Sequence, residues 1–470
     1  MTSATGALRI GNMSASRADR ASATAELLDA GAPDVLVLDM LSDEAVLQLA
    51  EERETGGPGY EAALLDQLAG CLDRVGGEDG VRIVTNAGAL DPEGLAARVR
   101  ALGEERSRRL RVAYLQPGLV PPGPAGRPEV GDRPVDVAVV RHGAGGVTLA
   151  LESGADVVVT GRVSREALVL GAAAAYHGWT SGHTDALAGA VAAGHVLSGG
   201  PGATGVSAGS TDVTRTADPV TGGYPIAEIA ADGTCVVTKH PSALGSVTTG
   251  TVTDQLLDGV TGPRYAAPDV VLRLDSVRVV QEGTDRVRLS GARGEPAPPR
   301  LEVVGLVRED GRVCRVTGQV DRATLGHEVV LDDGSRHTVA GPVETAPVRI
   351  GGTPSAIRPT GGPGGRPMQA PLGSVAGVRL GVVGEGLNLA VWTWEDGAFQ
   401  WLREAVDVAL LGRLLPELDG ARLERWELPN LRAVNTVVTA AGGHPLPADL
   451  DRRLAAAVLE VPSELLEVDP

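Results

Sequence analysis

Near-continuous runs of Val, Ile and Leu alternate with segments of helical spacing over residues 1–200. The runs at 8–11, 35–39, 81–85, 111–115, 135–140 and 156–160 predict strands covered on both faces, because a strand with one wet face would alternate apolar and polar positions. Between them, 18–30, 43–52, 61–75, 92–102 and 146–152 carry helical periodicity. Asp91 followed by Pro92 is a helix start, a capping carboxylate before a proline at the first helical position. This alternation predicts an α/β fold with a doubly wound, mostly parallel sheet. A Pro/Gly loop at 116–134 interrupts it.

Residues 164–198 read as helical with a break near 177–181, 226–238 as a hairpin turning at Asp232-Gly233, and 251–258 as a short helix. The pattern from 270 to 350 is strand-rich. Gly, Pro, Arg and Thr dominate 351–367, the clearest linker in the chain. Beyond it, strands are expected near 377–393 and 422–439, with helices near 396–415 and 447–459. The domain organisation that follows is an α/β domain over 1–350, a linker at 351–368 and a C-terminal α+β domain over 369–470.

Apolar residues make up 43% of the 470, enough for a packed core in each domain. The formal charge of −18 repels nucleic acid, and aromatics at 2% leave no stacking platform for single strands, so no nucleic-acid partner is expected. No apolar stretch approaches the roughly 20 residues of a membrane-spanning helix. The N-terminal MTSATGALRIGNMSAS carries no apolar leader, and Cys71, Cys235 and Cys314 stand far apart with no metal-type spacing. The expectation is a cytoplasmic protein without membrane contact, metal or bound cofactor.

Two scarcities mark candidate chemistry. Of 42 basic residues, 41 are Arg and one is Lys239, followed by His240-Pro241. A lysine retained in a chain that otherwise uses arginine points to a titratable amine, although chance survival explains it equally well. Asparagine occurs only at 12, 86, 388, 430 and 435, where it offers an uncharged donor and acceptor or simply tolerates a left-handed turn.

No P-loop, no GxGxxG after the first strand and no HExxH is present, and the GxSxG at 205–209 lacks a strand before it and a helix after it. Position says more, since ligands of open α/β sheets bind outside the carboxyl ends of strands. Those ends carry Gly11-Asn12, Asp39, Thr85-Asn86-Ala87-Gly88 and Gly161-Arg162-Val163-Ser164. Asn86 could polarise a carbonyl, Gly88 could admit close backbone approach, and Arg162 could hold a carboxylate or phosphate. The plainer alternative is that Asn86 and Ser164 cap turns and Arg162 pairs with a structural acid. His195, in AAGHVL, reads more readily as a packed helical histidine than a catalytic one.

Segments spread over most of the chain resemble the acyclic terpene utilisation proteins of AtuA type. They include IVTNAG at 83–88, GADVVVTGRVS at 154–164, AAGHVLSGG at 192–200, GYPIAEIAADGTCVVTK at 223–239, TVTDQLL at 251–257, PDVV at 268–271 and SGARG at 290–294. In the C-terminal domain they are APLGSVAGVRLG at 370–381 and LERWELPNLRAVN at 423–435. The resemblance implies an α/β N-terminal domain, a small ferredoxin-like C-terminal domain, and lyase or hydratase steps on branched acyl-CoA compounds. The chain departs from that pattern at 377–384, where Gly-Val-Arg-Leu-Gly-Val-Val-Gly keeps Arg379 but no His, Ser, Asp or Lys. Arg165 and Gln116-Pro117-Gly118 also stand where the family carries acids.

The expected function is an enzyme, a lyase or dehydratase acting on an acyl-CoA or carrier-bound thioester, in a role shifted toward specialised metabolism. Catalysis falls to Lys239, His195 and Asn86. Substrate binding falls to Asn12, Asp19, Arg20, Gly88, Gly161, Arg162, Ser164, Arg379 and Asn388. Lys239→Arg is then expected to abolish turnover. A homo-oligomer is the expected assembly. Two rival readings are a non-catalytic scaffold subunit, motivated by the stripped 377–384 stretch, and a metal-dependent enzyme using Asp19, Asp39 and His195.

Overall fold

The computed structural model describes residues 6–13, 23–29, 33–78, 80–116, 118–123, 126–206, 223–322, 327–339, 345–348, 365–384, 386–439, 447 and 449–466. Its largest element is an eleven-stranded sheet. Five strands run parallel through its middle in the order Leu8–Met13, Val35–Leu38, Arg82–Ala89, Val157–Gly161, Val112–Leu115. Their apolar runs are continuous because each face meets helices. Ile10, Val35, Val37, Val84 and Val158 pack with the helices Gly145–Glu152, Ala167–His177 and Thr184–Leu197. Leu36, Leu38, Ile83, Val157 and Val159 face Ala63–Ala69 and Pro92–Glu105. The expected start at Asp91-Pro92 holds, with the Asp91 carboxylate accepting from the Gly94 amide.

The sheet is mixed rather than mostly parallel. Outside Leu8–Met13 lie Pro225–Ile229, Cys235–Lys239, Arg286–Ser290 and Arg278–Gly283, all antiparallel to their neighbours. Outside Val112–Leu115 lie Glu328–Val330 and Arg336–Thr338, also antiparallel. Tight hairpins extend an edge without crossover helices, so the strand-rich stretch 270–350 forms no unit of its own and supplies both edges of the main sheet. The run at 135–140 is likewise not a member of that sheet. Val137–Val140 pairs with Arg300–Glu309, which pairs with Arg312–Asp321, and this three-stranded layer packs on Val46, Leu47 and Leu49 of the helix Asp43–Glu54.

Several boundaries move. The helix expected at 61–75 is Ala63–Ala69 plus a 3-10 turn at Leu72–Arg74. The described part of the helix expected at 18–30 is Ala23–Asp29. The helix at 396–415 is two helices, Asp396–Ala405 and Val408–Leu414. The last expected helix is only Leu450–Ala455, followed by the strand Val458–Pro462. Most of the linker at 351–368 lies outside the described residues, as do 207–209 of the GxSxG stretch, and Pro367–Pro371 is a strand.

The C-terminal residues form a four-stranded antiparallel sheet in the order Gly377–Val383, Gly386–Trp392, Ala433–Thr439, Arg422–Leu428. A ferredoxin-like β-α-β-β-α-β unit would place its last strand beside Gly386–Trp392. Here Gly377–Val383 takes that edge, and Val458–Pro462 pairs instead with Pro367–Pro371. The topology therefore differs from the ferredoxin-like one.

Helix Thr184–Leu197 crosses the antiparallel hairpin at closest range where Gly189 meets Gly233. A Cβ on Gly189 would lie 2.2 Å from the Gly233 carbonyl oxygen, and Gly233 has φ +81°. Gly189→Ala should gain about 1 kcal/mol of helix propensity but force backbone apart, at a cost of about 1–3 kcal/mol. Chemical denaturation should therefore show net destabilisation, and a more stable variant would contradict this packing.

Candidate functional site

The carboxyl ends of Val35–Leu38, Arg82–Ala89 and Val157–Gly161 converge on a buried polar layer. Asn86 donates from Nδ2 to Asp39 Oδ1 at 2.5 Å and accepts the Met40 amide at 2.7 Å, which ties two adjacent strand ends together. Burial pushes the Asp39 carboxyl above its ordinary pKa in spite of Asn86 and Arg162. Arg162 donates to the Leu41 carbonyl at 3.1 Å and pairs with Asp43. Burial lowers its guanidinium to about 10. Asp43 is also 3.7 Å from Arg315, which holds Glu302 at 3.1 Å, and Glu302 in turn pairs with Arg141 at 3.4 Å. Burial works against charge on Asp43, but Arg162, Arg315 and Arg141 outweigh it, and its pKa falls below the ordinary value.

Next to this layer is a cavity of about 220 Å³, lined in part by Arg141, Ser164, Arg165, Glu166, Tyr265 and Glu302. Chain direction explains the cluster. Val157–Gly161 ends at the carboxyl side of the parallel strands, and the next residues, 162–166, lead straight into helix Ala167–His177. Glu166 is 2% exposed and accepts from the Tyr265 hydroxyl at 3.3 Å. Burial raises its pKa above the usual carboxylate value, against the opposing charges of Arg165 and Arg141. Burial and the neighbouring Glu166 also push the Tyr265 phenol upward.

The Tyr265 ring also packs against His195, ring centroids 4.7 Å apart and planes tilted by 59°. Gly194 admits this arrangement, since a Cβ there would lie 2.9 Å from that of Glu166. His195 is buried and neither ring nitrogen completes a hydrogen bond. Burial first, then Arg165, bring its pKa down to about 4, although nearby Asp258 favours the charged form. Arg165 donates to Asp258 at 2.6 Å, and Arg379 of the C-terminal sheet reaches Asp258 at 3.3 Å and Asp254 at 3.1 Å. The Ser164 hydroxyl and Nε of Arg141, Arg162 and Arg315 are also buried and unpartnered. Buried polar groups in folded proteins are usually satisfied. Ser164 and Arg141 line the cavity and the others belong to the groups beside it, which marks a place shaped for a polar ligand.

A folded-state pKa of about 4 for His195, against 6.5 for the free side chain, fixes the sign of a pH effect. The unfolded chain binds the proton first as pH falls, so stability present above 6.5 is lost toward pH 4, by about 3 kcal/mol for this group. Unfolding free energy measured across that window should fall less steeply in His195→Gln. Equal slopes would show that His195 does not titrate this way.

Of the expected catalytic residues, only His195 reaches the cavity group. Asn86 uses its amide to join strand ends. Lys239, at the end of Cys235–Lys239, donates to the Ala243 carbonyl at 2.7 Å and pairs with Asp285 at 3.3 Å. Among the expected binding residues, Ser164 lines the cavity, Arg162 lies in the adjoining layer and Arg379 acts at one remove through Asp258. Gly161 ends its strand with its carbonyl accepting from Thr160. Gly88 is a packing glycine, since a Cβ would lie 2.6 Å from the Thr160 carbonyl oxygen.

Asn12 donates to the Leu197 carbonyl at 2.5 Å. Asn388 bridges the Leu257 carbonyl and the Gly259 amide, at 2.7 and 2.8 Å. Asp19 and Arg20 lie outside the described residues. Arg141, Glu166, Tyr265 and Asp258 were missed. Glu166 follows the strand-end segment GRVSR directly, and that position was its available signal.

Among the described residues, no group of three or more His, Cys, Asp or Glu side chains could hold a metal ion, and no helix is long and apolar enough to cross a membrane. The family model described as "Acyclic terpene utilisation family protein AtuA" matches residues 8–320. No curated protein and no solved structure matches the chain.

Proposed function

The chain belongs to the acyclic terpene utilisation AtuA family, and from that premise we propose an enzyme that acts on a branched acyl thioester, or a related carboxylic metabolite, by lyase chemistry in the cavity beside Ser164, Glu166 and Tyr265. The observation that carries this reading is Glu166, a buried carboxyl with a raised pKa, held by Tyr265 beside a cavity edged with arginine. Perturbed titratable groups in a cleft are the usual signature of acid–base work.

In a dehydration, the Glu166 carboxylate takes the proton from Cα, and the electron pair shifts into the thioester carbonyl. As the Cα–Cβ double bond forms, the β-hydroxyl leaves with that same proton as water. Hydration is the reverse. Arg165 and Arg141 place positive charge where the enolate oxygen gathers negative charge, and the Ser164 hydroxyl is free to donate to it. His195 positions Tyr265 by ring contact.

Lys239 belongs to the scaffold in this reading. Lys239→Met is expected to cost about 1–3 kcal/mol, the range for leaving buried partners unsatisfied, and to keep the turnover rate of the folded fraction. Denaturant titration and a turnover assay on the same preparation check both, and lost turnover in a folded variant would return Lys239 to the mechanism. The function itself is tested by mass-spectrometric turnover of a panel of branched and β-hydroxylated acyl-CoA and carrier-bound thioesters. A product formed by wild type and not by Glu166→Gln supports it. No product from folded wild type would favour the non-catalytic subunit instead.

A further inference from the structure

A second and larger cavity, about 890 Å³, adjoins the first at Leu301, which lines both. Its volume falls in the range of small-molecule sites, roughly 300–1,000 Å³. One end is polar, with His142, Asp269, Arg322 and His327. The other is apolar, with Leu149, Leu170, Trp179 and Leu187.

The polar end is built, not incidental. His142 and His327 stack with ring centroids 4.1 Å apart and 23° between planes. Three glycines make room for these groups. A Cβ on Gly118 would lie 2.7 Å from the His142 ring, one on Gly146 3.0 Å from His327 Nε2, and one on Gly143 2.4 Å from the Asp269 carboxylate. Asp269 accepts the Ala144 amide at 2.9 Å. Arg322 donates through Nη2 to the carbonyls of Pro268 and Pro298. That leaves its Nε buried without a partner, and His327 Nε2 is in the same condition. Burial holds both histidines far below their ordinary pKa, at about 4 and about 3, so the stack is neutral at physiological pH and Arg322 carries the positive charge. Burial also raises the Asp269 pKa, which weakens the charge beside Arg322, while Glu152 and Asp321, which line the cavity too, are exposed to water.

We propose that this cavity is a separate binding site for an apolar carboxylic acid, its carboxylate at Arg322 and His327 and its chain against Leu170, Trp179 and Leu187. The site is independent of the chemistry at Glu166. A carboxylate there pairs with the Arg322 guanidinium beside the neutral His327 ring, and the hydrocarbon gains from leaving water at about 25 cal/mol per Å².

Isothermal titration with decanoate tests it directly. Wild type should bind saturably with a Kd near or below about 1 mM, the affinity expected for a ligand of this size. Leu149→Trp, which fills the apolar end from a half-buried position, should abolish binding. Arg322→Met should weaken it about tenfold, one lost charge-assisted hydrogen bond. Glu166→Gln should bind as wild type does, which separates this site from the first cavity. Absence of saturable binding to wild type, binding retained by folded Leu149→Trp, or binding lost in Glu166→Gln would each overturn the proposal. Should Arg322→Met fail to fold through its carbonyl contacts, Leu149→Trp decides alone.

Discussion

Glu166→Gln is expected to lower kcat/KM about 10²–10⁴-fold, the usual contribution of a positioned acid–base group, while the protein becomes no less stable at neutral pH. The two halves of this expectation come from one cause. A carboxyl whose folded pKa is raised binds its proton more tightly in the folded state than in the unfolded one. Its stabilising contribution is therefore complete below the unfolded value of 4.5 and is lost as pH rises through the folded value. At neutral pH the buried carboxylate is a burden that the neutral amide relieves, and Gln retains an oxygen for Tyr265 to donate to. A structural carboxylate would behave in the opposite way, losing stability on neutralisation.

The pH profile adds a second sign. If Glu166 removes the Cα proton, kcat/KM of wild type rises with pH through a point above the ordinary glutamate range. Turnover by Glu166→Gln at the wild-type rate, or a marked loss of its stability at neutral pH, would remove Glu166 from the reaction.

The sequence could announce Glu166 only weakly, and the reason is physical. Local pattern reports which residues are buried and in which element. The parallel middle of the sheet was legible on that ground, because five apolar runs fell where strands lie. Strand order was not, since the pairing of Val157–Gly161 between Arg82–Ala89 and Val112–Leu115 depends on helices packing over the sheet. The hairpin read at 226–238 is present as Pro225–Ile229 with Cys235–Lys239, but the attachment of the antiparallel edges to the sheet was illegible for a related reason. Hairpins from 225–239, 278–290 and 328–338 join a sheet whose other strands are far away in sequence.

Scarcity proved a sound guide to importance but not to chemistry. All five asparagines make bonds between distant segments. Four donate to backbone carbonyls, and among the described residues none adopts the left-handed conformation. Lys239 likewise joins a strand end to a loop. The cavity residues Arg, Glu and Ser are common types, Tyr is as scarce as Asn in this chain, and only their convergence distinguishes them. Tyr265 and Glu166 are 99 positions apart in the chain.

Convergence also explains why the C-terminal sheet bears on the site although no residue of it lines the first cavity. Asn388 and Asn435 hold that sheet to 257–260 through the carbonyls of Leu257 and Val260, and Asn430 holds it to those of Leu274 and Val277. Asp258 lies within the same segment, with Arg379 on one side and Arg165 on the other. Burial opposes charge on Asp258, yet Arg379 and Arg165 together bring its pKa below the ordinary carboxylate value. Asp258→Asn is therefore expected to destabilise the protein by about 3–5 kcal/mol, because it leaves two guanidinium groups without their shared carboxylate. The same contact makes the wild type acid-sensitive. Stability that Asp258 contributes is present above 3.8 and is lost as pH falls through its lower folded value.

Activity should fall with stability, since Arg165 is held beside Glu166 by this carboxylate and would swing when released. Arg379→Met separates the two effects. It breaks the bond to the C-terminal sheet but leaves Arg165 paired with Asp258, so it should cost stability while keeping most turnover at temperatures where the variant is folded. Denaturant titration and single-temperature turnover of both variants decide the matter. If Asp258→Asn is as stable as wild type, the carboxylate does not hold the two arginines. If Arg379→Met loses turnover as completely as Asp258→Asn does, the C-terminal sheet contributes to the site directly, and not through the placement of Arg165.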